Sequence, residues 1–584
     1  MKFAFSYLKG SGWKVALTMF IKVLATFAEL FIPYALEYMI DTAAPAKDIR
    51  GVVLGGVAML ILTIMLVSFN IGANLLAVST AKTAAYKVRK DLFWKSLKLS
   101  GKTFDEFGLP SITSRMTSDS YNVQDFLRMF QSFGIRAPLM LIGGIIVAMI
   151  MDRGLGTILL IIAPITVIAI LLLSFKGIPL YDKVQKSIDE ISLVMRENIT
   201  GIRVVKALSK EKHEIRHFGE ANERMTKRDR RASTVMALPG PVMTLFLNSG
   251  LVLCVLVGAN RVNAGITEPG VILAFLTYFN IILQGAMGLS RVLLMMSKAT
   301  ASANRVQEVI MQPEELVTIP ESEAAHTDST AKIVFDDVSF MYGEDSKMGS
   351  EGFAGEERQK SLSNISFEIP EGGSLGIIGP TGCGKTSILN LLMRFYDTTE
   401  GHIFVDGRDI RTYDLAELRR KFGTVFQNDT IFADTIEENI KFGRDVSDEK
   451  MKEAAKDAFA AEFIEDYEDD YKHMSAAHGA NFSGGQKQRI LISRALAGDS
   501  EILVLDDASS ALDYRTDAEL RRAIRENYNA TSIIIAQRVS SIMSLDQIIV
   551  MDEGRIIGIG NHEELMASCQ EYVDIYKIQM GEEG

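Results

Sequence analysis

The chain has 584 residues, 48% of them hydrophobic, with a mean hydropathy of +0.15. It is too long for one domain and too apolar on average for an ordinary soluble enzyme. A net charge of −11 argues against nucleic acid as the main partner, because phosphate-backbone binding needs a clustered basic surface. Cys254, Cys383 and Cys569 are widely spaced with no C-x-x-C pair, so neither a disulfide framework nor a zinc site is suggested.

The opening "MKFAFSYLKGSGWKVALTMF" has no small-residue cleavage site after a short apolar core. It reads as an interfacial lead-in to a retained helix, not as a signal peptide. Six apolar stretches long enough to cross a bilayer, about 20 residues each, fill the first half: 13–38, 51–80, 133–151, 154–175, 239–260 and 270–295. Only "DRG", Asp152 to Gly154, divides the third from the fourth, which predicts a tight hairpin. One such run could be a buried core helix; six without intervening strands read as membrane spans.

Basic residues orient them. Lys82, Lys87, Arg89, Lys90, Lys95, Lys98 and Lys102 follow the second span. Lys206, Lys210, Lys212, Arg216, Lys227, Arg228, Arg230 and Arg231 follow the fourth. The positive-inside bias puts both long segments and both termini in the cytoplasm, in a multi-pass protein of the cell membrane. Those segments look helical and would extend the spans beyond the lipid bilayer. Polar residues within the spans include Lys22, Glu29, Asn70, Asn74, Asn248, Asn280 and Gln284. The asparagines suit hydrogen bonding between helices, and Glu29 is the better candidate for touching a transported molecule.

After Met311, "QPEELVTIPESEAAHTDSTA" is polar and aperiodic, a linker. The expected division is a membrane domain over 1–315, a linker over 316–331 and an α/β domain over 332–584. From Lys332 short β-branched strands alternate with helical stretches.

"GPTGCGKTS" comprises Gly379, Pro380, Thr381, Gly382, Cys383, Gly384, Lys385, Thr386 and Ser387. It matches G-x-x-x-x-G-K-[ST] between a strand, "SLGIIG", and a helix, "SILNLLMRFY". Its backbone N–H groups would curl around the phosphates of ATP, with Lys385 on the β- and γ-phosphates and the Thr386 hydroxyl suited to Mg²⁺. Cys383 reads as a small filler between glycines. Asp506, closing the apolar strand Ile502–Leu505, is the expected carboxylate beside Mg²⁺. More than a hundred residues separate motif and strand, so a subdomain must be inserted between them.

Within that insertion stand "VFQND", with Gln427, and "NFSGGQKQR", Asn481 to Arg489. The second resembles the signature of ATP-binding cassette (ABC) proteins, with Phe482 where leucine is commoner. "VSFMYG", "SALD" (Ser510 to Asp513) and "MDEGRIIGIGNHEEL" extend the likeness over essentially the whole chain. The sequence resembles an ABC exporter half-transporter, specifically the degenerate-site subunit of a heterodimeric bacterial multidrug-type transporter. The resemblance implies an α-helical six-span membrane domain plus an α/β P-loop nucleotide-binding domain with a helical subdomain. It implies that Tyr342 stacks on adenine, that Thr386, Gln427 and Asp506 serve the metal, and that Asp507, Gln537 and Gln427 serve hydrolysis. Ser483, Gly484, Gly485 and Gln486 would cap ATP held by a homologous half-transporter, small residues at a helix N-terminus being a second anion site. "SRMTS" near Arg115 and "KEKHEIRHF" near His213 would lie at the cytoplasmic turns that transmit closure.

Two positions depart from the family's catalytic pattern: Asp507 replaces a glutamate and Gln537 a histidine. Asp is shorter by one C–C bond, about 1.5 Å. Gln537 can still donate a neutral hydrogen bond but carries no charge. Ala477 stands where a glutamate often precedes the signature, and the stretch between Tyr342 and Leu362 reads as an enlarged loop without assigned function. The leading expectation is a heterodimeric ATP-driven exporter subunit of small or amphipathic compounds such as drugs, with lipid or peptide export as the alternative. A regulatory or channel-gating subunit of the same fold is a further reading. A soluble cassette ATPase acting on nucleic acid is opposed by the six spans and the acidic balance.

Overall fold

The computed structural model describes residues 1–313, 316–342 and 360–581; most of the loop expected between Tyr342 and Leu362 lies outside them. The chain divides into two compact units, Met1–Leu97 with Pro110–Gln312, and Lys98–Leu109 with Pro313–Gly584.

In hydrocarbon every backbone N–H and C=O must be satisfied within its own segment, so apolar runs become helices. Six helices of the first unit are long and apolar enough to cross a membrane. The main helices are α1 Gly12–Tyr38, α2 Ile49–Ser96, α4 Ser120–Phe133, α5 Arg136–Met151, α6 Arg153–Thr200, α7 Glu211–Ala237, α8 Pro239–Asn263 and α9 Pro269–Ile310. Helices α2 and α6 have 48 residues each, about 72 Å at 1.5 Å per residue, more than twice the roughly 30 Å of a hydrocarbon core. Each therefore runs on well past its apolar stretch, as the sequence predicts.

The hairpin at "DRG" is held by Asp152. Its Oδ1 accepts the free N–H groups of Gly154 and Leu155 at 2.7 and 3.0 Å, while Oδ2 pairs with Arg261 at 3.1 Å. Elsewhere small residues let helices approach: a Cβ on Gly258 would lie 2.8 Å from Ile272, and one on Gly144 2.8 Å from Ile282. Asn70 and Asn74 both accept from the buried Lys22 ammonium, at 2.8 and 3.0 Å, the interhelical role expected of them. Glu29 is paired with Arg136 at 2.9 Å.

Arg115–Asp119 forms one π-helical turn leading into α4, and it is fastened to α9 by Arg115–Glu308 at 3.0 Å and Arg305–Asp119 at 2.5 Å. The segment grouped with the second unit is the short helix α3, Gly101–Phe107. The Gly101 N–H donates to the Phe395 carbonyl at 3.0 Å and the Tyr396 hydroxyl to Asp105 at 2.5 Å. A Cβ on Gly101 would sit 2.6 Å from the Tyr396 ring, so only glycine fits there. His213 lies near the start of α7, just after a break whose Ser209 has φ 53°.

In the second unit the linker is not loose. Ile319 N–H reaches the Arg411 carbonyl at 3.0 Å, and the fully buried Arg394 donates to the Val317 carbonyl at 2.9 Å. The strands are β1 Ile333–Phe340, β2 Leu362–Ile369, β3 Ser374–Ile378, β4 Glu400–Val405, β5 Arg408–Asp409, β6 Phe422–Val425, β7 Ile502–Asp506, β8 Thr531–Ile535, β9 Gln547–Asp552 and β10 Arg555–Gly560. They form an antiparallel sheet, β2-β1-β4-β5, and a six-stranded sheet, β10-β9-β3-β8-β7-β6, parallel except at β10. Every residue of β7 is buried, as a strand covered on both faces must be. The principal helices are α10 Lys385–Leu392, α11 Asp448–Asp457, α12 Gly484–Leu496, α13 Tyr514–Asn527, α14 His562–Ser568 and α15 Gln570–Met580. Helices α11 and α12 belong to the insertion between β6 and β7.

Asp152→Ala should lower the unfolding temperature of the detergent-solubilised protein. It removes an N-cap worth about 1 kcal/mol and leaves Arg261 without its partner. Asp152→Asn, which keeps the cap acceptor, should recover part of the loss in the same thermal scan; equal losses would remove the cap from the explanation.

Candidate active site

Parallel strands deliver their carboxyl ends to one edge, where open α/β sheets bind ligands. The order β3-β8-β7-β6 lines up four exits: the Gly379–Lys385 loop after β3, Gln537 after β8, Asp506–Asp507 at the end of β7, and Gln427 after β6.

The loop after β3 is built on glycine. Gly384, the N-cap of α10, has φ 101°, and a Cβ there would lie 2.7 Å from both Leu362 Cδ2 and the Ser361 carbonyl oxygen. A Cβ on Gly379 would sit 2.2 Å from the Met551 carbonyl oxygen. Cys383 is buried against this turn, in keeping with its reading as a filler. Pro380, Thr381 and Gly382 form the exposed rim. The Lys385 ammonium bends back onto the Gly379 and Pro380 carbonyl oxygens, 2.8 Å each. A phosphate is a stronger acceptor than either, so the lysine has cause to swing toward one.

The Thr386 hydroxyl donates to Asp506 Oδ2 at 3.1 Å. This hydroxyl–carboxylate pair beside a phosphate loop fits Mg²⁺, which takes one or two protein oxygens and completes its shell with water and phosphate. Among the described residues no group of three or more histidine, cysteine, aspartate or glutamate side chains could hold a metal by themselves.

Asp507 adopts φ 52°, a left-handed conformation that Asp and Asn tolerate better than longer residues. Its N–H donates to the Ile535 carbonyl at 2.9 Å. Its Oδ2 accepts from Gln537 Nε2 at 2.9 Å, and the Gln427 side chain also bonds the carboxylate. Burial pushes the carboxyls of Asp506 and Asp507 above the usual range. Thr386 and Lys385 work against this at Asp506; Gln427, Lys385, Arg538 and Gln537 do so at Asp507.

Tyr342 is not a free-standing platform. Its hydroxyl lies 3.1 Å from both Ser387 Oγ and Asn390 Nδ2, and its ring packs edge-on to Phe340 and Tyr396. At the signature, Ser483 and Gln486 close a capping box: Ser483 Oγ accepts the Gln486 N–H, and Gln486 Oε1 the Ser483 N–H. Gly484 and Gly485 lie against Ala511, where added Cβ atoms would come within 3.5 and 3.2 Å. Among the described residues no hydrogen bond or ion pair joins Ser483–Gln486 to the Gly379–Ser387 loop. Phe482 is buried edge-on to Phe463, Tyr467 and His473, an aromatic box that accounts for phenylalanine here. Ala477 is exposed, and nothing in the structure explains its substitution.

Residues not singled out by sequence complete the site. Gln488 bonds the Ser510 hydroxyl at 3.0 Å and the Ala511 N–H at 2.9 Å, tying α12 to the "SALD" loop. Arg538 stacks on Tyr514 at 4.6 Å. Gln579 hydrogen-bonds the backbone around Gln537. A cavity of about 740 Å³ opens beside Asp507, Gln537, Arg538, Tyr514 and Gln579.

Residues 15–287 match the ABC transporter transmembrane region and residues 362–510 match the ABC transporter family. The uncharacterized ABC transporter ATP-binding protein YfiB of Bacillus subtilis is 33% identical over 100% of this chain and 99% of its own length. The similarly described Rv1273c of Mycobacterium tuberculosis is 32% identical over 97% and 96%. The chain belongs to the ABC transporter family. Its fold is similar to that of a bacterial Atm1-family ABC exporter with ATP bound, with a TM-score of 0.77, 24% identity and coverage of 99% of both chains. The transporter is thus a multi-pass membrane protein in which a six-helix half and an ATP-binding cassette share one chain, and its transport is driven by ATP.

The raised Asp507 carboxyl fixes a pH dependence. Between the ordinary value of 3.8 and its higher folded value, the folded chain holds protons that the unfolded chain has released. Stability from this group therefore falls as pH rises through that window. Asp507→Asn keeps the left-handed backbone and removes the charge, so the nucleotide-free transporter should melt higher at pH 7. That gain should shrink toward pH 4 in thermal scans; a gain that grows on acidification would contradict it.

Proposed function

We propose that the transporter is one half of a heterodimeric exporter whose own phosphate loop binds Mg·ATP at a weakly hydrolysing site. Its signature would complete an efficient site on a homologous partner chain. The observation that carries this is the Asp507–Gln537 hydrogen bond of 2.9 Å. A shortened carboxylate and a neutral amide satisfy each other where attacking water and γ-phosphate would need them. Misplacing a catalytic group by about 1 Å costs roughly 10²-fold in rate, about 2.7 kcal/mol of barrier. Binding makes other demands. Gly379–Ser387 supply the anion cradle, Tyr342 an aromatic beside α10 for adenine, and Thr386, Asp506 and Gln427 the oxygens for Mg²⁺. The ion, when bound, neutralises developing phosphate charge. Asp507, Gln537 and Gln427 hold the place of the attacking water without the reach to activate it well.

A homodimer would repeat Asp507 and Gln537 at both sites and leave no fast step to reset it. The chain nevertheless keeps a well-formed "SGGQ" at Ser483 to Gln486, useful only against ATP held by another chain. Basic segments after the second and fourth spans support a cytoplasmic cassette and cytoplasmic termini. The fusion of spans and cassette in one chain supports export. We assign the cargo to small or amphipathic compounds, drugs foremost, with lipids or peptides as the alternative; a stimulation screen of the partnered ATPase against the three classes decides.

Ser483→Tyr, which fills the space before the α12 N-terminus, should abolish most ATP turnover of the assembled transporter, whereas Asp507→Ala should change it little. If the chain purified alone hydrolyses ATP and transports as fast as any complex it forms, the heterodimer reading is wrong. The pair Asp507→Glu and Gln537→His should raise single-turnover cleavage at this chain's own phosphate loop. A gain below about threefold would place the limit in geometry beyond these two residues.

A further inference from the structure

Strand β8 ends at Ile535, and a 3₁₀ turn begins at Val539. Ala536 is still fixed to the sheet, its N–H donating to the Ile377 carbonyl at 3.2 Å. The next peptide groups leave the sheet, and they carry Gln537. One side chain takes over from the strand. Gln579 Nε2 donates to the Gln537 carbonyl at 2.8 Å, and Gln579 Oε1 accepts the Val539 N–H at 2.7 Å. A primary amide alone serves this ring, since it presents a donor to the carbonyl and an acceptor to the N–H at once. A carboxylate would face the carbonyl oxygen with another oxygen, and an aliphatic side chain would satisfy neither group.

The residue that makes the clamp comes from a firmly seated helix. In α15, Tyr572 is fully buried and its hydroxyl lies 2.9 Å from His562 Nδ1, and Tyr576 packs on the same histidine at 5.4 Å. The next residue, Arg538, is held over Tyr514. The Gln537 carbonyl is held by Gln579, and the Gln537 side chain reaches Asp507.

We propose that Gln579 is a positioning residue that sets where Gln537 presents its amide to the γ-phosphate, so that α15 tunes how this cassette distinguishes ATP from ADP. This rests on the reading of the site as a Mg·ATP site. The test uses the assembled transporter and photolabelling of this chain by azido-ATP, with ATP or ADP as competitor. Gln579→Met should weaken competition by ATP about fivefold, the scale of one hydrogen bond, and competition by ADP by less than about twofold. Gln537→Ala should give the same loss, and the double variant no more than either alone. Equal losses for ATP and ADP with a lowered melting temperature would mark Gln579 as merely structural and overturn the proposal, as would losses that multiply in the double variant. Labelling that survives Lys385→Ala would sink the nucleotide reading and the proposal with it. Labelling lost in Lys385→Ala with an unchanged ATP-to-ADP preference in Gln579→Met would overturn the Gln579 proposal alone.

Discussion

Everything at the nucleotide edge depends on the order β3-β8-β7-β6. Neighbouring strands of a parallel sheet lie about 4.8 Å apart, so the residues that leave adjacent strand ends fall within side-chain reach of one another. With β8 between β3 and β7, the residue after β8 stands between the phosphate loop and the carboxylate pair. Gln537 therefore meets Asp507 across a separation of thirty positions.

Much of this was legible in the chain because it follows from local chemistry. The six apolar runs, the hairpin at Asp152 and the glycine loop each follow from a constraint acting over a few residues: backbone satisfaction in lipid, a carboxylate capping two N–H groups, and turns that exclude a Cβ. The pairing of Lys22 with Asn70 and Asn74 was legible as a type of contact, since a buried ammonium must find oxygen. The ion pair of Glu29 was not legible, for the complementary reason. Its partner, Arg136, lies over a hundred positions away, and no local pattern announces a tertiary ion pair.

The same limit explains α3 and Gln579. "SRMTS" looks like a turn because it is short, polar and flanked by helical runs, yet Arg115 and Asp119 find Glu308 and Arg305 on α9, and the pairing draws the segment into the helical unit. The segment that joins the cassette unit is marked instead by Gly101, whose missing side chain makes room for the Tyr396 ring. A lone glycine near a helix start carries no such message in sequence. Gln579 is one polar residue on a helix of ordinary composition, and its role exists only because the peptide groups of Gln537 and Val539 lack sheet partners.

Asp507 joins these threads through its backbone. At φ 52° the residue needs a side chain that tolerates the left-handed region, and aspartate does so at less cost than glutamate. Replacing glutamate by aspartate thus loses reach and relaxes the turn together. The shorter carboxylate also lies close enough to its own strand end to be satisfied by Gln537 and Gln427, which partly offsets the cost of burying it. The carboxylate is hydrogen-bonded at its strand end, while the capping box at Ser483 and the Gln488 contacts order the start of α12. On the heterodimer reading proposed above, the two faces of the cassette would answer to different nucleotides, one held by this chain and one by its partner, and the short reach of Asp507 would leave the demands on Ser483 untouched.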